Sequence, residues 1–229
     1  MIEQLLNPVF LVALLQIIAI DILLGGDNAV VIALACRRLS PDKQNKAIVG
    51  GVIGAIGLRV VLLVFATQLL ELPYLKVIGS VLLLWIGIKL LLPQAEEDDT
   101  IDGGTQLISA IRTIIVADAV MSLDNVVAVA GAAKGDLLLI VLGVVISIPI
   151  IVWGSRLVLK MMDRFPLVIV LGSALLGWIA GGMIVSDSAL SSFLKGAPSW
   201  LHYATSVAGA MLVLAIGGLL ARQKKAAMT

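Results

Sequence analysis

Apolar residues in this chain run in long stretches, and charged residues fall in the gaps between them. Reading the apolar runs against those interruptions predicts seven membrane-spanning helices, at about 8–36, 47–70, 74–92, 107–133, 137–159, 167–185 and 203–221. The fold class expected is an all-α polytopic membrane protein, with 1–229 forming one transmembrane domain. The segment 93–106 joins its halves. Its sequence PQAEEDDTIDGGT (93–105) is acidic and carries two glycines, so it reads as a solvated cytoplasmic linker.

Composition excludes the ordinary soluble enzyme. Of 229 residues 60% are hydrophobic and only 14% charged, and the mean hydropathy is +1.12. That leaves too little polar material to cover a water-facing surface. Formal net charge is +1, which points to no nucleic-acid partner. Cys36 is the only cysteine and His202 the only histidine, so neither a disulfide framework nor a Cys/His metal cluster is available. No basic residue precedes the first apolar run, which is too long for a signal-peptide core. Eleven Lys and Arg lie near one set of span ends (Arg37, Arg38, Lys43, Lys46, Lys89, Arg112, Lys160, Arg164, Arg222, Lys224 and Lys225) and three near the other (Lys76, Lys134 and Lys195). This bias predicts an outside N-terminus and a cytoplasmic C-terminus. Arg59 and Arg156 fall inside spans.

The two halves repeat. DILLGGDNAVVIA (21–33) aligns with DAVMSLDNVVAVA (118–130) at an offset of 97, placing Asp21 on Asp118, Asp27 on Asp124, Asn28 on Asn125 and, further on, Arg59 on Arg156. After a four-residue deletion Pro73, Gly79, Ser80 and Trp85 fall on Pro166, Gly172, Ser173 and Trp178. Each repeat, 8–92 and 107–185, holds three spans. An odd number inverts the second copy, with helix 203–221 appended, and in transporters of this design the substrate site lies near the midplane between repeats.

Four aspartates at that depth are costly unless protonated, paired, or facing water or a cation. Six residues separate the two in each motif, so a regular helix would point them to different faces. Gly25 and Gly26 allow the first helix to open; Ser122 and Leu123 stand at those places in the second copy. Converging motifs would offer Asp21, Asp27, Asp118 and Asp124 with the Asn28 and Asn125 amide oxygens, a set suited to Mn²⁺, Mg²⁺ or Ca²⁺. Four negative charges balance Arg59, Arg156 and one divalent ion, and protons would neutralise the empty state, so cation/proton exchange is expected. Arg59 is the better placed for charge balance or gating, while Arg156 lies where snorkelling serves equally. Met121 could add a soft ligand favouring manganese, against a plain packing role. Gly50, Gly51, Gly54 and Gly57 suit close helix approach. Trp85 and Trp178 read as packing elements, and His202 and Cys36 as residues without a chemical role.

LGGDNAVVIA (24–33) together with ADAVMSLDNVVAVAGAAKGD (117–136) resembles the signature pair of the TerC family of integral membrane proteins, most nearly its short YjbE-like branch. The resemblance covers about 8–220. It implies a seven-helix bacterial inner-membrane protein related to the LysE exporter superfamily, with manganese(II) efflux as the leading activity and the six motif residues as metal ligands. No catalytic cofactor is expected; Mn²⁺ is the transported ion. Some family members are tied to tellurite resistance and others to supplying metal to exported proteins beside the secretion machinery. A metal-supplying membrane scaffold and an exporter of a small organic solute stand as alternatives. Only 4% of residues are aromatic, which weighs against the solute. Homo-oligomer formation and contact with the secretion machinery stay open. No nucleophile–base pair, nucleotide loop or HExxH spacing appears, so an enzyme is not expected.

Overall fold

The computed structural model describes residues 8–65, 68–69, 72–92, 103–133, 136–191, 193–194, 197–198 and 200–226; the side chains of 24, 103, 124, 126–128, 130, 137 and 225 are outside that description. The described elements are all helical: α1 (Pro8–Leu24), α2 (Gly26–Cys36), α3 (Pro41–Val64), α4 (Leu75–Leu91), α5 (Gly103–Ala133), α6 (Leu137–Arg164), α7 (Leu167–Val185), α8 (Ser188–Ser191) and α9 (Trp200–Ala226). The expected linker is shorter than read, because α5 begins at Gly103; residues 93–102 lie outside the described ones.

Among the described residues five helices are long and apolar enough to cross a membrane, and a sixth span follows if the bent pair α1–α2 counts as one. The third expected span, α4, has 17 residues, which rise about 26 Å and sit at the lower limit for a hydrocarbon core of about 30 Å. The second expected span is shifted toward the N-terminus: α3 starts at Pro41, where proline at the first helical turn costs no hydrogen bond, and runs to Val64.

The first span packs on α6, α3 on α5, and α4 on α7, while α9 covers α7 and α4. A central cluster including Ile32, Leu34, Ile48, Leu83, Ile114 and Leu176 joins α2 through α7. A second, with Phe10, Ile17, Leu63, Val129 and Val144, joins α1, α3, α5 and α6. Large apolar side chains remain exposed along the outer faces, including Ile53 on α3, Trp153 on α6 and Met211 on α9, as expected where the surroundings are lipid. Trp85 and Trp178 belong to this outer set, at 57% and 39% exposure.

Small residues set the closest helix approaches. Ile111, Ile114 and Ile115 of α5 lie against Gly50, Gly51 and Gly54 of α3, so those glycines admit side chains; a Cβ on Gly57 would meet open space. The tighter crossing is α7 with α9: a side chain at Gly177 or Gly181 would run into the backbone at Gly209 or Thr205. The sequence reading did not single out that crossing.

Candidate functional site

The first span breaks beside its first aspartate. The Gly25 amide donates to the Asp21 carbonyl at 2.7 Å, and the next helix restarts with the Asn28 amide on the Gly25 carbonyl at 3.1 Å. The two helices meet at 45°. Glycine is required here by space: a Cβ on Gly25 would lie 2.5 Å from the Asp21 carbonyl oxygen, whereas Gly26 has nothing within 4 Å. In the second repeat Ser122 stands where Gly25 stands in the first, and α5 runs through without a break.

Tertiary packing brings Asp21 and Asp118 to one arginine. Arg59 Nη1 donates to Asp21 Oδ1 at 2.5 Å and Nη2 to Asp118 Oδ1 at 2.6 Å. Its Nε donates to Ser122 Oγ at 3.0 Å, and Ser122 donates to Asp118 Oδ2 at 3.3 Å. Ser147 of α6 donates to Asp21 Oδ2. Exposure of Asp21, Arg59 and Asp118 is 2%, 5% and 8%. The planar guanidinium spends three donors in a fixed fork, a geometry lysine lacks. Three helices thus meet at the Arg59 side chain, and α6 joins them through Asp21.

A step away, within the first turn of α2, polar atoms lack partners. Asp27 Oδ1 and both amide atoms of Asn28 are buried without a hydrogen bond. Buried polar groups are nearly always satisfied, so each exception asks for a reason such as an ion or water. Asp27 faces the backbone amides at the helix start and lies within electrostatic reach of Asp118 and Arg59. Anionic groups are favoured at that helix end.

The remaining expected residues are placed as follows. Met121 is buried in the central cluster. Asn125 is half-buried. The Asp124 side chain lies outside the described residues. Arg156 is exposed, so it takes no part in the buried charge set and the expected balance of two arginines reduces to one. Among the described residues no three of His, Cys, Asp and Glu gather as a ready metal cluster; Asp21 and Asp118 are instead turned to Arg59.

Ser147 and Asp187 were missed. Ser147 sits two residues before Pro149, whose ring removes a backbone donor inside α6; a hydroxyl beside a proline in an apolar span was the available signal. Asp187, fully buried after α7, accepts from the amides of Tyr74, Lys76 and Val77 at 2.9, 3.0 and 3.2 Å and from Ala189 at 2.8 Å. Burial pushes its carboxyl up, but the four amides outweigh this and hold it below the usual range. It ties the start of α4 to the end of α7, and nothing in the local sequence marks that long-range cap.

Three cavities bear on function. One of about 20 Å³ is lined by Arg59, Asp118 and Ser147 among apolar neighbours such as Ile114 and Ile148, room for one water-sized particle. A cleft of about 400 Å³ lies at the end bearing Arg38, Lys89 and Lys224, and none of the described residues lining it carries a carboxylate. At the other end a cleft of about 640 Å³ includes Gln16 and Asp136, along the same helices α1 and α5 that carry the motifs.

A family model described as "Integral membrane protein TerC family" matches residues 6–225. The chain is 48% identical over 188 residues to the uncharacterized membrane protein YjbE of Bacillus subtilis, covering 81% of this chain and 84% of that one. It is 26% identical over 188 residues to the UPF0053 protein YegH of Escherichia coli, covering 74% of this chain and 36% of that one. Bacillus subtilis YceF, also an uncharacterized membrane protein, is 24% identical over 174 residues, covering 72% and 67%. No solved structure matches.

Proposed function

The chain belongs to the TerC family of integral membrane proteins, and from that premise we propose that it transports a divalent metal cation, manganese(II) first, out of the cytoplasm. The observation that carries this reading is the buried, unpartnered pair of Asp27 Oδ1 and the Asn28 amide at a broken membrane helix. Oxygen atoms left bare at that depth are costly, and a hard cation repays the cost by direct coordination.

The alternate pairing of spans supports two inverted repeats within a seven-span protein. First with fifth and second with fourth are equivalent contacts under exchange of the halves, and third with sixth maps onto itself. The small central cavity supports an ion over an organic solute, and the cleft at the far end offers the Asp136 carboxylate beside the motif helices. With Arg156 at the surface, four aspartates against Arg59 and one divalent ion leave one negative charge, which a counter-moving proton neutralises. Relationship to the LysE exporter superfamily and an inner-membrane location belong to the same reading.

The test is Mn²⁺ flux into vesicles reconstituted with the purified chain, under pH gradients of both signs, with Ca²⁺ and Mg²⁺ as competitors and Asp27→Asn and Asn28→Ala alongside. Flux that depends on both residues is expected. Wild-type flux equal to that of empty vesicles under every gradient would sink the exporter and favour a membrane scaffold that supplies metal.

A further inference from the structure

Asp21 and Asp118 occupy equivalent places in the two repeats, yet one arginine from the first repeat serves both. Its repeat equivalent, Arg156, is exposed. The polar set at the break, meanwhile, has an unused carboxylate oxygen and an unused amide. Two carboxylates are therefore occupied by a tethered positive group while a third, beside them, is open.

We propose that the Asp21–Asp118 pair is a second cation position whose resident occupant is the Arg59 guanidinium, and that an incoming divalent cation takes the pair as Arg59 withdraws. This rests on the reading of the chain as a cation transporter. Withdrawal of the guanidinium leaves Asp21 Oδ1, Asp118 Oδ1 and Ser122 Oγ without their donors, with Ser147 Oγ beside them on Asp21. That is an all-oxygen set, suited to a hard divalent ion. A guanidinium carries no lone pair to donate to a metal and repels it, so ion and arginine compete for the same two oxygens. The water-sized cavity lined by Arg59, Asp118 and Ser147 gives an arriving ion space beside the fork. Asp27 and Asn28 supply its first contacts.

The exchange has a mechanical consequence. Arg59 ties α3 to α1 and α5, and Ser147 ties α6 to α1. An ion held by Asp21 and Asp118 bridges α1 and α5 and removes the ionic tie of α3 to both, leaving α3 held by its apolar packing on α5. Binding thereby removes the hydrogen-bonded charge contact between one helix of the first repeat and the second repeat, the kind of differential contact a transport cycle requires.

The experiment measures Mn²⁺ binding to the full chain in lipid nanodiscs, from the loss of the free-ion paramagnetic signal, for wild type, Arg59→Gln, Arg59→Lys and Asp27→Asn. Removing the tethered competitor is expected to tighten binding by about tenfold or more, inside the usual range of coupling between sites. Free guanidinium ion should compete with Mn²⁺ in Arg59→Gln and have no effect on wild type. Arg59→Lys keeps the charge without the fork, so its affinity should fall between. Arg59→Gln that folds and binds Mn²⁺ no better than wild type overturns the competition, as does guanidinium without effect on it. If Arg59→Gln does not fold, Arg59→Lys decides by the same sign: an affinity at or below that of wild type overturns the proposal. Wild type that binds while Asp27→Asn does not keeps the cation reading whatever Arg59 does. No binding by any of the four removes both.

Discussion

Arg59 is the residue on which most buried charge depends. Breaking a buried pair by deleting one partner leaves uncompensated charge and costs about 3–5 kcal/mol, so metal-free Arg59→Gln should lose roughly that much stability in thermal or denaturant unfolding. Arg156→Gln, its repeat equivalent, is exposed and should fall within about 0.5 kcal/mol of wild type. Equal losses at the two positions would contradict the buried fork. Asp187 makes a second residue-scale prediction. Its carboxylate is held below its ordinary range, so its stabilisation is present above the unfolded value of about 4 and is lost as pH falls through the folded one. Asp187→Asn should cost roughly 1–3 kcal/mol at neutral pH, as expected for hydrogen bonds to a charged group. The difference from wild type should shrink as unfolding is measured toward pH 3.

At the scale of the element, the break between α1 and α2 follows from two adjacent glycines with unequal jobs. Gly25 sits where a Cβ would strike the Asp21 carbonyl, and Gly26 faces open space. Gly25→Ala should therefore impair cation transport strongly by displacing the backbone beside Asp21, while Gly26→Ala retains it; the reverse order in a vesicle flux assay would refute the steric account. The α7–α9 crossing is also set by glycines, at Gly177, Gly181 and Gly209. Gly181→Leu should separate α9 from α7 and lower the unfolding temperature of the purified protein. Gly57→Leu, with open space around it, should leave that temperature nearly unchanged.

For the whole molecule, the uneven distribution of lysine and arginine makes a testable prediction of orientation. The positive-inside bias predicts that Lys224→Cys is shielded from a membrane-impermeant thiol reagent in intact cells while Lys195→Cys is labelled. Native Cys36, being buried, adds little background. The opposite labelling pattern would overturn the expected outside N-terminus and cytoplasmic C-terminus. Interior space agrees with an ion-sized cargo, because the cavity at the charged centre holds about 20 Å³ whereas the large clefts lie at the two ends.

The sequence by itself determined the helical class, the sites of the apolar segments and the paired motifs, because burial in a bilayer forces long apolar runs and makes each polar exception conspicuous. It also located the break, since two glycines beside an aspartate weaken a helix locally. It ranked Arg59 ahead of Arg156 by depth in the span yet kept both in the charge balance; the two align in the repeat but end in opposite surroundings, one buried and one exposed. Nor did it reach Ser147, 126 positions from Asp21, or Asp187, whose amide partners on α4 lie 110 to 113 positions away. Those contacts depend on which helix faces which, and helices of nearly uniform apolarity carry no stripe that announces their partner. Tertiary packing alone decided that one guanidinium would serve both repeats and that the neighbouring oxygens would be left open.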